Sequence, residues 1–258
     1  MLWTASGING YAIHASDGKI GTVSDFLFED DSWLVRWLVV DTGNWLSGRK
    51  VLLPPIALGH PDPAKNEFPV MLTMKQVEES PDIDTDLPVS RQMEMRVYDY
   101  YGWRPYWGTG FYMPGYGYAG DNWPGSPSVG TRRREAELIA NQHNNDDPHL
   151  RSIQSVTGYH VHAIDGEIGH VKDMLVQDAD WSVHYLVVDT KNWWPGKKVL
   201  ISPGAAHDIN WSDRLVNLDV DRARVKGSPE YDETITVDRN YEKQFHDYYG
   251  DPRFLGGL

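Results

Sequence analysis

Residues 10–53 read GYAIHASDGKIGTVSDFLFEDDSWLVRWLVVDTGNWLSGRKVLL, and residues 158–201 read GYHVHAIDGEIGHVKDMLVQDADWSVHYLVVDTKNWWPGKKVLI. The second stretch repeats the first at a constant offset of 148 positions, without a gap. The same offset pairs the Asp-Tyr-Tyr-Gly sequence at 99–102 with that at 247–250. The period is far longer than the roughly 20–50 residues of a solenoid unit. The sequence therefore predicts a duplicated domain.

The repeat divides the 258 residues into three parts. We expect a first domain at 1–102, a connector at 103–149 and a second domain at 150–258. Domains of about 100 residues bury only a modest fraction of their surface, so each is expected to be stabilised by its neighbour or by a partner.

Each copy has the pattern of short β-strands joined by turns. In the first copy a strand at Gly10–His14 and a strand at Ile20–Glu29 flank Asp17-Gly18, a pair that favours a tight hairpin turn. The most apolar strand follows at Trp33–Asp41. Further strands are expected at 50–53, near Ile56–Leu58 and at 68–72. Several short strands with glycine-rich turns indicate a small barrel.

The strand at 33–41 is apolar on both of its faces, since side chains alternate along a strand. Val35, Trp37 and Val39 share one face, and Leu34, Leu38 and Val40 share the other. In the second copy Tyr185 takes the place of Trp37. One face should fill the domain core, and the other is a candidate for packing against a helix, the sister repeat or another molecule.

Two helices are expected in each copy. Thr73 and Gln76 have the spacing of a capping box, and Asp221 takes the cap position in the second copy. Later helices are expected at Ser90–Tyr101 and Asp238–Tyr249, each ending before a glycine. An apolar stripe with four-residue spacing on each later helix should dock on a barrel; it consists of Met93 and Val97 in the first copy, and Tyr241 and Phe245 in the second.

The connector is rich in glycine, proline and aromatic residues between 103 and 130. This composition disfavours regular helices and long strands. Because each aromatic side chain can bury about 150–250 Å², we expect the segment to pack against the barrels or a partner. Arg132–Arg134 then lead into a short helix ending near Ala140.

The composition restricts the function classes. The net charge of −13 opposes generic binding to nucleic acid, which needs a basic surface. The chain has no cysteine, which excludes disulfides and thiol catalysis. No signal-peptide pattern opens the sequence and no apolar run has the length of a transmembrane helix. We therefore expect a cytoplasmic protein without a transmembrane segment.

The repeated motifs resemble the PRC-barrel domain, a small β-barrel named after the cytoplasmic part of the photosynthetic reaction-centre H subunit. The resemblance covers about 8–81 and 156–229. It is carried by two sets of residues in register: Asp17-Gly18, Ile20-Gly21 and Asp25, and then Asp165-Gly166, Ile168-Gly169 and Asp173. It implies two tandem six-stranded barrels. With the helices expected from the sequence, the predicted fold is mainly β, with two small PRC-like barrels each followed by short helices. It also implies an adaptor or assembly module without known catalysis.

Four aspartates are candidates for a specific polar role, because each lies within or at the end of an apolar strand: Asp25, Asp41, Asp173 and Asp189. We expect them to accept backbone hydrogen bonds and fix loops, with metal binding or acid–base chemistry as the alternative. Asp17 and Asp165 are interpreted as turn residues. We expect no catalytic residue and no cofactor.

Histidine recurs at 14 and 162, and the second copy adds His160. Residues 160 and 162 share a strand face, which permits a metal pair, but no third ligand has suitable spacing. We therefore expect no metal.

Eight aromatic residues are candidates for contacting a partner: Trp37, Trp45, Tyr185, Trp193, Trp103, Trp107, Tyr112 and Trp123. Trp45 and Trp193 lie on corresponding loops, where each either plugs a barrel end or forms a contact hot spot. The first hypothesis is a non-enzymatic assembly adaptor that forms a homo-oligomer or binds a protein partner. That partner could be a peripheral membrane protein, another membrane-bound protein or a stress-related protein. The alternative is a sugar-binding or small-molecule-binding protein or enzyme, with its site between the barrels walled by connector aromatics. A ribosome-associated or RNA-binding role follows only from the resemblance, and the charge opposes it.

Overall fold

A computed structural model describes residues 1–81, 91–103, 112–113, 117–118, 150–190, 197–233 and 237–249. The fold of these residues is mainly β. Their strands are β1 (Leu2–Thr4), β2 (Ala12–Ala15), β3 (Gly18–Glu29), β4 (Leu34–Asp41), β5 (Lys50–Leu53), β6 (Glu67–Pro69), β7 (Tyr112–Met113), β8 (Gly117–Tyr118), β9 (Leu150–Ser152), β10 (His160–Ala163), β11 (Gly166–Gln177), β12 (Val183–Asp189), β13 (Lys198–Ile201), β14 (Ala206–Asn210) and β15 (Leu215–Leu218). Their helices are α1 (Ala5–Ile8), α2 (Met74–Glu78), α3 (Arg91–Tyr101), α4 (Ile153–Val156), α5 (Arg222–Gly227) and α6 (Arg239–Tyr249), with 3-10 turns at Pro55–Ala57 and Pro203–Ala205.

The chain forms two compact units, and neither is a continuous stretch of sequence. The C-terminal unit consists of Met1–Ile8, Trp33–Val35 and Ser152–Leu258. The N-terminal unit consists of Asn9–Ser32 and Arg36–Arg151. The boundaries expected from the repeat, at 102 and 150, stay a prediction.

The two units have sheets of corresponding strand order. In the N-terminal unit the order is β5-β4-β3-β2-β6, with β9 also pairing with β3. In the C-terminal unit it is β13-β12-β11-β10-β15-β14, with β1 also pairing with β11. In both, the hairpin's first strand pairs in parallel with a later strand: β2 with β6, and β10 with β15.

The leading strand of each repeat joins the sheet of the other repeat. β1 lies antiparallel to the end of β11, with Leu2 opposite Gln177 and Thr4 opposite Leu175. The strand that corresponds to β1 after 148 positions is β9, and it pairs with β3 of the first repeat. The long strands β3 and β11 each have room for this addition, because their hairpin partners are only four residues long.

Local sequence accounts for the helix boundaries. The predicted capping box at Thr73 is confirmed, since its hydroxyl accepts from Gln76 N and Gln76 Oε1 accepts from Thr73 N. Asp221 caps α5 by accepting from Arg224 N. Asp238 caps α6 in the same way through Tyr241 N, at 2.8 Å. Gly102 follows α3 with a φ of 68°, the left-handed conformation that ends helices.

One predicted strand is wrong. Residues 55–57 form a 3-10 turn rather than a strand. Pro54 and Pro55 supply no N–H for a sheet ladder, and Pro55 opens the turn at a position that suits its fixed φ. Only an isolated bridge between Leu58 and Val70 remains of the expected pairing.

Strand β4 is covered on both faces, as its composition predicted. Trp37 and Val39 on one face and Leu38 and Val40 on the other are at most 2% exposed. The cover on the Trp37 face is α3, whose Met95, Val97 and Tyr98 join a cluster with Trp37, Leu52 and Leu150. The same relation holds in the second copy, where Phe245 of α6 packs on Tyr185 of β12, with ring centroids 5.0 Å apart. The predicted docking of the helix stripes is thus confirmed for Val97 and Phe245, while the side chain of Met93 lies outside the described residues.

Candidate functional site

The duplicated Asp-Gly turns tie each hairpin to a helix. Asp17 Oδ1 accepts from Met74 N at 2.7 Å, and Asp165 Oδ1 accepts from Arg222 N at 2.8 Å. Each aspartate therefore binds the first N–H of a short helix that lies 57 positions further along the chain. The turn interpretation holds, with this additional capping role.

The duplicated glycines at 21 and 169 lie where the backbones of two adjacent strands come very close together. A Cβ on Gly21 would lie 2.1 Å from the carbonyl oxygen of Asp41, and one on Gly169 would lie 2.0 Å from that of Asp189. No side chain fits there. The repeated Ile-Gly motif is thus explained by backbone packing.

Trp37 and Tyr185 do not face a partner, which corrects the expectation for these two residues. Trp37 is 0% exposed, and its indole N–H donates to the carboxylate of Glu94 at 2.6 Å. Tyr185 is 3% exposed, and burial raises the pKa of its hydroxyl. The helix at the end of each repeat covers this strand face, so the sequence pattern of two apolar faces arose from intramolecular packing.

The candidate aspartates Asp25, Asp41 and Asp173 each accept a backbone hydrogen bond. Asp25 accepts from Phe26 N at 2.7 Å, and Asp41 accepts from Gly43 N at 2.8 Å. Asp173 accepts from Met174 N at 2.8 Å. Asp189 is 5% exposed and lies opposite Lys198 in the β12–β13 ladder.

Asp173 also binds a residue from the beginning of the chain. Its carboxylate also accepts from Ser6 N at 3.2 Å and from the Ser6 hydroxyl. Burial raises the pKa of Asp173 above its usual value, although the bonds from Ser6 and Met174 act to lower it. The carboxylate of Asp173 therefore holds α1 against β11.

A positively charged side chain just before the fifth strand of each repeat hydrogen-bonds to carbonyl groups at the C-terminal end of a short helix. Arg49 Nη1 donates to the carbonyl of Glu78 at 2.8 Å, and Arg49 Nη2 donates to the carbonyl of Ser80. Lys197 Nζ donates to the carbonyls of Lys226 and Ser228, at 2.7 and 2.6 Å. Sequence reasoning missed this pair, although the offset of 148 aligns the two cations.

The histidines pair with glutamates on the surface. His14 Nε2 lies 3.3 Å from Glu67 Oε1, and His160 Nδ1 lies 3.1 Å from Glu167 Oε1. Within the described ranges, no three histidine or carboxylate side chains come together in a way that could hold a metal ion.

The remaining candidate aromatic residues differ in their surroundings. Trp45 is half-buried in the loop between β4 and β5, where its backbone N–H donates to the carbonyl of Thr42. Trp103 is half-buried and stacks on Tyr101, with ring centroids 4.2 Å apart and planes at 19°. Tyr112 lies in β7, which pairs with β8, and its side chain is not described. Trp107, Trp123 and Trp193 lie outside the described residues.

Large apolar side chains missed by the sequence reasoning are exposed at one corner of the N-terminal unit. Met71 is 75% exposed and Ile56 is 55% exposed. Met71 N donates to the carbonyl of Ala57 at 3.0 Å, which places the two side chains on adjoining backbone. The corresponding residues of the second repeat are Asp219 and Gly204. The offset could have revealed this contrast between the copies.

Comparison with known proteins identifies the family of the first repeat. The family model described as PRC-barrel domain matches residues 5–63. The resemblance seen in the motifs is therefore confirmed for this copy. The PRC-barrel match begins at Ala5 and so includes α1, which the structure assigns to the C-terminal unit.

A second comparison found a similar protein whose description names no activity. A protein of Deinococcus radiodurans described as uncharacterized is 35% identical to this chain over 89 residues. The similar region is 34% of this chain and 29% of that protein, so the chain spans under a third of the relative. Among the described helices, none is long and apolar enough to span a bilayer.

Proposed function

We propose that this chain is a non-enzymatic interaction protein that uses its duplicated PRC-type units to assemble with another protein or with itself. PRC-barrel domains are small interaction modules, which supports this function class. The polar groups of the repeated motifs add further support. Asp17, Asp25, Asp41 and Asp173 all bind backbone N–H groups, so their duplicated chemistry serves the fold.

The observation that carries the proposal is the apolar corner, defined as Ile56 and Met71 of the N-terminal unit. A side chain of this size gains about 1.5–3 kcal/mol when it is fully buried, so a partner that covers both would be bound more tightly. The C-terminal unit has glycine and aspartate at the same positions, and its exposed Ile164 stands where the first repeat has Ser16. The pair Ile56 and Met71 therefore occurs in one copy, and we assign the contact to that copy.

Three aromatic residues at the end of α3 form a second contact region of the N-terminal unit. Tyr100 is 37% exposed and packs edge-on against Tyr101, with ring centroids 4.8 Å apart. Trp103 stacks on Tyr101. Aromatic side chains of this kind are enriched at binding hot spots. Trp45 and Trp103 remain proposed contact residues.

The test exchanges the apolar corner for the residues that the second repeat already uses. The double variant Ile56→Gly, Met71→Asp should fold, because the same backbone accepts these residues at 204 and 219. We expect the wild-type chain to associate in light scattering or in crosslinked pulldown from its source cells, and the double variant to lose that association. Ile164→Ser, which introduces the first-repeat residue at an exposed position of the C-terminal unit, is the matched control and should leave association unchanged. A monomer that captures nothing would contradict the proposal.

The alternative function, a ligand site walled by connector aromatics, depends on residues between 104 and 149 that the structure does not describe beyond two short strands. It stays a prediction.

A further inference from the structure

The leading segment of each repeat, defined as β1–α1 in the first and β9–α4 in the second, begins with a strand in the other repeat's sheet. Residues Leu2–Thr4 extend the edge of β11 beyond the point where β10 ends. Leu150–Ser152 take the equivalent place beside β3. An added strand of this kind is a recurrent mode of recognition, because main-chain hydrogen bonds supply affinity and flanking side chains supply specificity.

The polar contacts of the two leading segments correspond. Arg151 Nε of β9 donates to Asp30 Oδ2 at 2.9 Å, in a pair whose side chains are both less than a fifth exposed. The corresponding residue of β1 is Trp3, whose indole N–H lies 3.4 Å from Asp178 Oδ2. Asp30 and Asp178 occupy the same position in the two repeats. Each leading strand therefore meets the same aspartate at the end of the long strand.

Apolar burial strengthens the attachment of the first leading segment. Ala5 and Ile8 of α1 are 3% and 1% exposed. Ser6 adds its two bonds to Asp173. The link to the rest of the first repeat is short and open: Asn9 is exposed, and Gly10 has a φ of 82° with no atom within 4 Å of a Cβ placed on it.

A third contact joins the repeats within the C-terminal unit. Val35 N donates to the carbonyl of Trp181, and Val183 N donates to the carbonyl of Trp33, both at 2.8 Å. These bonds are counterparts of one another after 148 positions. Reciprocal contacts between like residues are typical of an isologous dimer interface.

We propose that the leading segments are the elements by which two PRC-type repeats recognise each other, so that the partner of each repeat is a second repeat of the same kind. The two halves of this chain then bind each other without the connector. This pairing is independent of the partner that covers the apolar corner, and it goes beyond the proposed function.

The experiment uses the full chain with a recognition sequence for a site-specific protease inserted between Gly125 and Ser126. The folded protein is cut, and its mass is compared with that of the uncut protein by light scattering. We expect the mass and the far-UV circular dichroism to be unchanged, because β1 and β9 hold the halves together. Separation of the halves at micromolar concentration would overturn the proposal. The result can be interpreted whether the uncut particle is a monomer or an oligomer, so it does not depend on the test of the apolar corner.

A pair of variants shows whether the leading segments cause the association. Ser6→Ala with Arg151→Ala removes the side-chain bonds to Asp173 and Asp30 and leaves the backbone ladders intact. In the cut protein, the concentration at which the halves dissociate should rise at least tenfold. The control, Lys65→Ala with Asn210→Ala, removes local side-chain contacts from each unit away from the leading segments, and it should leave that concentration unchanged. Equal dissociation of both double variants would also overturn the proposal.

Discussion

Leu34 forms an antiparallel bridge with Ser182, the residue at the same position in the second repeat. Trp33 and Trp181, which precede them, have nearly equal positive φ values of 57° and 60°. A non-glycine residue in this conformation is uncommon. The turn therefore has the same role in both repeats. It places the strand that follows it where the two repeats share backbone hydrogen bonds.

Gly21→Ala should destabilise the N-terminal unit by about 3 kcal/mol or more, because the new methyl group meets the backbone of Asp41 rather than a side chain that could move away. Gly43→Ala is the matched control. It introduces a side chain at a φ of 54° with open space around it, and should cost about 1 kcal/mol. Urea unfolding followed by tryptophan fluorescence measures both. Equal losses of unfolding free energy in the two variants would show that the close approach of β3 and β4 is misassigned.

Glu94→Ala should lower the free energy of unfolding of the N-terminal unit by about 1–3 kcal/mol, since it leaves the buried indole N–H of Trp37 without this acceptor. Glu94→Gln retains an acceptor oxygen and should cost less. The corresponding Glu242→Ala in the C-terminal unit removes a partly exposed side chain and should also cost less. Thermal unfolding of the three variants compares them directly, and a loss at Glu242 as large as that at Glu94 would contradict the assignment.

Arg49→Ala should destabilise the end of α2 by about 1.5–3 kcal/mol, because carbonyls at 78 and 80 lose a charged donor. Arg49→Lys should retain most of the stability, since Lys197 binds two carbonyls in the same place of the second repeat. Hydrogen exchange of the amides in α2 measures the effect locally. Similar exchange rates in the alanine and lysine variants would show that the cation does not hold the helix end.

The stability difference between wild type and Asp173→Asn should depend on pH. Burial raises the pKa of Asp173 in the folded state, so between the unfolded and folded pKa values the folded state binds more protons. The wild type therefore gains stability relative to Asp173→Asn as the pH falls from neutral through the folded pKa. Urea unfolding at a series of pH values from 7 to 4 measures this difference. A difference that stays constant, or that changes in the opposite direction, would show that the carboxyl is not held in a desolvated site.

Local features of the fold could be predicted from the sequence because they depend on neighbouring residues. The hairpin at Asp17-Gly18, the capping box at Thr73 and the apolar faces of 33–41 each follow from a few adjacent side chains. The strand expected at 56–58 was wrong, because the two prolines before it outweigh the apolar pattern. Candidate contacts were predicted less well, since Trp37 has the same sequence pattern whether a partner or the chain's own helix covers it.

The sequence by itself determined that one β-rich domain occurs twice and where its turns and caps lie, because those signals are short-range and appear in both copies. Only the tertiary structure decided which sheet receives each leading strand, and that α3 and α6 cover Trp37 and Tyr185. The physical reason is the duplication. Two nearly equivalent strand edges offer β1 similar hydrogen bonds, so the choice between them depends on long-range packing that no local pattern records.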